Sequence, residues 1–155
     1  MQKILFLDVD GVLNIMDGNI YNTCYLINGS PRPARYIEEF AVARLNYIIE
    51  QTGCSVVISS SWRADMDLLK QELDVAGFKH WDKVIGATPT GKTRGEEILA
   101  WLDTYGEEVR YCILEDEPFD LDGVDMDKVV QTNYKDALIS SDMQKAIKIL
   151  NEEEP

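Results

Sequence analysis

Asp8 and Asp10 stand two residues apart in the run Phe6-Leu7-Asp8-Val9-Asp10-Gly11-Val12-Leu13-Asn14. The run continues an apolar stretch, Ile4 to Leu7, that has the character of a buried strand in a parallel sheet. Side chains alternate along an extended segment, so the two carboxylates point the same way, roughly 6 to 7 Å apart. Gly11 lets the chain leave in a conformation that other residues resist. Two carboxylates at the end of a buried strand are costly unless a proton or a cation lies between them. The arrangement suits a magnesium-assisted aspartyl nucleophile; its plain counterpart is a strand closed by an acidic Asp-Gly turn.

Other residues extend this chemistry. Asp8 would attack phosphorus, and Asp10 would first protonate the leaving oxygen and then activate water. A hydroxyl from Ser59-Ser60-Ser61, after the apolar run Val56-Val57-Ile58, would donate to a phosphoryl oxygen. Lys92 at the head of a helix adds a point charge to the helix dipole. Glu115 and Asp116, after Tyr111-Cys112-Ile113-Leu114, complete an oxygen-only site suited to magnesium. Positioning and charge stabilisation are what phosphoryl transfer asks of a protein.

The elements that must position these residues follow from periodicity and breakers. Helices are predicted over 38–52, closed by Gly53, over 65–76, closed by Gly77, and over 95–105. A fourth runs from 141 to 150, opened by a Ser141-x-x-Gln144 capping box. Strands are predicted over 4–7, 55–58, 83–85, 110–114 and 129–130. Residues 11–36 are rich in turn signals and read as a flap-like insertion, with a small hairpin about Asp17-Gly18-Asn19. Alternating strands and helices give an α/β fold: a three-layer α/β/α Rossmann-like sandwich on a mainly parallel sheet, within a single domain over 1–155. Sites in such sheets gather beyond the carboxyl ends of the strands, where Asp8/Asp10, Ser59–Ser61 and Glu115/Asp116 all fall.

Composition narrows the function classes. The 155 residues carry a net charge of −13, with five basic against seventeen acidic residues over 95–155. Tight non-specific nucleic-acid binding, which draws on many basic contacts, is disfavoured. The bases gather instead around Arg32, Arg35, Arg44, Arg63, Lys92 and Arg94, enough for a local mouth that grips one phosphate. No window approaches a membrane span, and the first strand begins too early to leave room for a signal peptide. Cys24, Cys54 and Cys112 read as reduced core residues, which points to the cytoplasm. With one histidine, His80, and no Cys/His cluster, a zinc site or a Ser-His-Asp triad is disfavoured.

Four ordered elements together resemble the magnesium-dependent phosphatases of the haloacid dehalogenase-like (HAD) superfamily: Asp8-Val9-Asp10-Gly11, a serine after Val56-Val57-Ile58, Lys92 before a helix, and the acidic pair 115–116. The pairing of Asp-Gly-Val-Leu-Asn with Ser-Ser-Trp-Arg is most similar to the small members related to the phosphatase domains of RNA-repair proteins. The resemblance implies Asp8 as nucleophile, Asp10 as acid and base, and magnesium on Asp8, the Asp10 backbone carbonyl and the acidic pair. Many relatives carry Asp-Asp where this chain has Glu115-Asp116, so either residue is open as the metal ligand, with Glu117 or Asp120 assisting. Among the serines, Ser60 is favoured because it sits two before Trp62, with Ser59 next; Ser61 and Gly11 line the phosphate. Arg63 either reaches the substrate phosphate or is a solvated arginine at a helix start.

One motif competes. Gly86-Ala87-Thr88-Pro89-Thr90-Gly91-Lys92-Thr93 satisfies the Walker A pattern and would make a P-loop nucleotide-binding protein. Only about 60 residues follow it, too few for the remaining strands and crossovers, and it leaves Asp8 and Asp10 unexplained. A second alternative keeps the HAD fold as a non-catalytic phosphate-binding regulatory module. With only a minimal cap, an open site suits a bulky phosphorylated partner such as a nucleotide or polynucleotide end, or a small molecule.

Overall fold

A computed structural model describes residues 1–16, 24–27, 30–33 and 37–152, with backbone alone for 24–27 and 30–33. Strands β1 (Gln2–Leu7), β4 (Ser55–Ile58), β5 (Val84–Ala87), β6 (Val109–Glu115) and β7 (Val129–Gln131) form one parallel sheet in the order β5-β4-β1-β6-β7. Strands β2 (Cys24–Ile27) and β3 (Ser30–Pro33) pair antiparallel inside the 11–36 insertion. The hairpin expected about Asp17-Gly18-Asn19 has its turn and second arm outside the described residues.

Helices α1 (Glu39–Thr52), α2 (Met66–Val75), α3 (Arg94–Tyr105) and α4 (Ser140–Asn151) cover the sheet. Alternation along the strands divides the apolar residues between two faces. Leu5, Leu7, Val56, Ile58, Cys112 and Leu114 pack with Leu45 and Ile48 of α1, Leu69 and Leu73 of α2, and Ala146 and Leu150 of α4. Ile4, Phe6, Val57 and Ile113 pack instead with Ile98 and Trp101 of α3. Near-continuous apolar strands are what burial on both faces requires, and the result is the expected three-layer α/β/α sandwich.

Several boundaries move for local reasons. Residues 61–65 form a 3-10 turn before α2, capped by the Ser60 hydroxyl accepting the Trp62 N–H. The first turn of α4 uses Asp142, whose carboxylate takes the Ile139 N–H at 3.2 Å; the expected Ser141–Gln144 box is not formed. α3 begins one residue earlier than predicted, because Thr93 caps it by accepting the Glu96 N–H at 3.1 Å. That single residue matters to the site.

Candidate active site

The chain runs from β1 outward through β4 to β5, then returns to the other side of β1 for β6 and β7. The strand order therefore reverses between β1 and β6, where an open parallel sheet leaves a crevice at its carboxyl edge. Register makes this edge level. Leu7 lies opposite both Ile58 and Leu114, so the next residues of the three central strands are Ser59, Asp8 and Glu115. The backbone ladder holds them, with Asp8 N–H donating to the Leu114 carbonyl at 3.2 Å and Ser59 N–H to the Leu7 carbonyl at 2.9 Å. By alternation all three continue the face of Phe6, Val57 and Ile113, which is the α3 face.

Asp8, Glu115 and Asp116 each bring a carboxylate oxygen within 4.8 Å of the others. Asp8 and Glu115 are 5% and 3% exposed, so water screens them little. Burial, foremost, pushes the Asp8 carboxyl up to about 7, against the opposing pull of the Glu115 hydrogen bond and the Arg94 charge. Burial and then the neighbouring Asp8 charge push Glu115 up to about 10. The pair cannot carry two charges unless a proton is shared or a cation lies between them. Glu115 Oε1 accepts the Asp116 and Glu117 N–H groups at 3.2 and 3.3 Å. Its Oε2 is buried with no N–H donor in bonding geometry, the Arg94 Nε lying 3.4 Å away. A hard divalent cation fits this set: the donors are all oxygen, and one is orphaned toward the cluster.

Asp10 is positioned differently. Its Oδ1 accepts from the Asn14 amide at 2.9 Å and from the Trp62 indole N–H at 3.1 Å. Asn14 in turn accepts the Gly11 N–H at 2.9 Å, closing a turn in which Gly11 sits at φ +80°. A Cβ there would stand 2.1 Å from Asp116 Oδ2, so only glycine lets the β6 carboxylate lie against the β1 turn. Thr132, just past β7, fixes the same turn, its hydroxyl donating to the Gly11 carbonyl at 2.8 Å.

Among the described residues, the cation on the cavity wall is Arg94. It reaches Glu115 at 3.4 Å and Asp8 at 4.0 Å, and its Nη1 is buried without a hydrogen-bond partner. Lys92, expected in this role, is exposed in the preceding loop and does not line the cavity. The early start of α3 puts Arg94 in the first turn, directed at the crevice. Gly95 keeps that turn close, since a Cβ there would stand 2.3 Å from the Asp122 carbonyl oxygen. Asp8, Asp10, Ser61, Arg94, Glu115 and Asp116 line one cavity of about 400 Å³, with Met16 and Tyr134 also on its wall.

The remaining expectations separate. Ser60 caps the turn at 61–65 with its hydroxyl, whereas Ser59 Oγ is buried without a hydrogen-bond partner beside Asp8 in register. Arg63 neither reaches the cavity nor is solvated. Its guanidinium forks onto Glu97 at 2.8 and 3.0 Å, tying the β4 exit to α3. Glu117 lines the cavity, while Asp120 accepts the Arg94 N–H at 3.3 Å. The Walker-like segment is not built as a phosphate cradle. It follows an edge strand, and its Gly91 and Lys92 N–H groups already donate to the Glu97 and Glu96 carboxylates. Asn14 and Trp62, which clamp Asp10, lie within the sequence motifs without a role assigned to them, and Arg94 figures there only as one of six bases around a possible phosphate mouth. The parity of Val57 with Ser59, and a helix start moved to Arg94, are the signals that point to Ser59 and Arg94.

Fold and site together define a HAD-like domain: a parallel sheet with β1 at its centre, and acidic residues on the adjoining ends of β1 and β6. The family described as "HAD domain in Swiss Army Knife RNA repair proteins" matches residues 4–143, and the chain belongs to that family. No curated protein matches the chain. Among the described residues, no helix is long and apolar enough to cross a membrane.

Proposed function

We propose that this protein is a magnesium-dependent phosphomonoesterase acting through a phosphorylated Asp8 on the end phosphate of a nucleotide or polynucleotide. The observation that carries the reading is the meeting of Asp8, Glu115 and Asp116 within 4.8 Å, on a cavity that Asp10 and Arg94 also line. Magnesium, held by these three carboxylates and the Asp10 carbonyl, would supply charge that offsets the negative phosphoryl oxygens. Asp8 attacks phosphorus while Asp10 gives its proton to the departing oxygen. Asp10 then takes a proton from water, which attacks the same phosphorus, releasing phosphate and restoring Asp8. The clamp of Asn14 and Trp62 keeps the Asp10 carboxylate in one orientation for both transfers. Arg94 meets the phosphoryl oxygens from the α3 side, and the orphaned Ser59 hydroxyl donates to one of them.

The polynucleotide end is supported by the RNA-repair description of the family and by the shortness of the 11–36 insertion, too small for a substantial cap domain. The test is phosphate release from para-nitrophenyl phosphate, then from 3′- and 5′-phosphorylated oligonucleotides. Turnover is expected with magnesium, not with EDTA, and not in Asp8→Asn. Magnesium-independent turnover, or an Asp8→Asn variant as active as the wild type, overturns the reading.

A further inference from the structure

A second and larger cavity, about 720 Å³, adjoins the first and shares Asp116, Glu117 and Tyr134 with it. Its size lies within the range of ligand pockets, and the proposed chemistry leaves it without a role. Its wall carries two exposed aromatic side chains. Phe119, 88% exposed on the 3-10 turn Pro118–Asp120, is part of neither apolar core. Tyr134, 46% exposed, stands where the two cavities join, with the Lys135 ammonium 5.8 Å from its ring centre. Two amide side chains also line it. Asn133 Oδ1 already accepts the Lys135 N–H at 2.9 Å, and the Gln131 amide nitrogen donates to the Asp116 carbonyl at 3.4 Å. This leaves the Asn133 amide donor and the Gln131 carbonyl acceptor for an incoming group.

We infer that this groove binds the nucleoside that carries the scissile phosphate. Resting on the phosphatase reading, it places the phosphate at Asp8 and the base against Phe119 and Tyr134. Aromatic faces, one amide donor and one carbonyl acceptor match the stacking surface and polar edge of a base. Among the described lining residues Lys145 is the one base, against Asp116 and Glu117, which disfavours a run of several phosphates and suits a single nucleoside. The shared chemistry is a phosphorylated nucleoside, free or at the end of a strand.

The test measures phosphate release from nucleoside 3′- and 5′-monophosphates, from the corresponding phosphorylated oligonucleotides, and from acetyl phosphate, which has no ring to stack. Phe119→Ala is expected to raise KM for a nucleotide substrate roughly 5- to 100-fold more than KM for acetyl phosphate, the range of a lost base stack. Phe119→Tyr is expected to restore it, which a merely misfolded turn would not allow. Whether the mononucleotide or the oligonucleotide shows the larger effect identifies the source of the nucleoside. Equal KM changes for nucleotide and acetyl phosphate, or none, overturn the inference. If no substrate turns over, the phosphatase reading has failed. Calorimetric titration with adenosine monophosphate then decides the groove alone: binding that Phe119→Ala abolishes supports it, and no binding overturns it.

Discussion

Asp8→Asn is expected to stabilise the metal-free protein even as it abolishes turnover. The Asp8 carboxyl is raised from an ordinary 3.8 to about 7, with burial the largest cause. Below about pH 4 the group is protonated whether the chain is folded or not, and it has no effect on stability. Between about 4 and 7 the unfolded chain has lost the proton while the folded chain retains it, so stability falls as pH rises. Above about 7 the full penalty applies, near 4 kcal/mol for a shift of about three pH units. Water entering the metal-free crevice screens part of it, so about 2 to 4 kcal/mol is expected in practice. Asparagine carries no charge to bury beside Glu115.

In EDTA at pH 8 the variant should therefore melt roughly 5 to 15 °C above the wild type, the shift such energies produce in a chain of this size. The difference should shrink towards zero as pH falls to about 4. Saturating magnesium should close most or all of this gap. The wild type gains about 2.7 kcal/mol at a hundred times its Kd, and the variant lacks one of the three carboxylates. Thermal melts at pH 5 and 8, each with EDTA and with magnesium, give the four values needed. A variant less stable than wild type in EDTA at pH 8, or a difference that ignores pH, would refute the reasoning.

Gly11→Ala should lose about 1 to 2 kcal/mol from its φ of +80° and also displace Asp116, whose Oδ2 a Cβ would meet at 2.1 Å. Melts with and without magnesium check both effects, the second as a lost magnesium-dependent rise in Tm. Arg94→Ala should lower kcat for para-nitrophenyl phosphate about 100-fold or more, while Lys92→Ala stays close to wild type; steady-state kinetics decide between the two cations. Trp62→Phe keeps the ring but removes the N–H that Asp10 accepts at 3.1 Å, and kcat should fall about 5- to 15-fold with KM little changed.

What the sequence displayed of this fold was whatever is written locally. Apolar runs such as Val56–Ile58 and Tyr111–Leu114, helical spacing in α1 and the stop at Gly53 each lie within one element, and each appears at or within a few residues of its predicted place. The carboxylates were legible for the same reason, since Asp8 and Glu115 directly follow apolar strands. What could not be read locally depends on contacts across the chain. Trp62 meets Asp10 over a separation of 52 residues, and Arg63 meets Glu97 over 34. The choice among three serines depends on strand phase, which only the pairing of Ile58 with Leu7 fixes. The choice between Lys92 and Arg94 depends on where α3 starts. Two residues there separate an exposed loop side chain from one aimed at Glu115.

The same burial that makes the site costly also points to what it binds. Three carboxylates from Asp8, Glu115 and Asp116 face one guanidinium, that of Arg94, at 3.4 and 4.0 Å from two of them. Fully ionised, this group carries two uncompensated negative charges, the charge that one magnesium ion neutralises. A monovalent ion would leave one charge in a place that water hardly reaches, and protonation alone would leave Asp8 a poor nucleophile. Arg94 is near enough to lower the cost and too far to bond Asp8 directly, so it compensates the site without occupying the position from which Asp8 must attack. The central place of β1 follows from the same need. Only a strand paired on both sides can hold a charged residue level with the ends of its neighbours, and β1 is the strand at which the sheet reverses its order.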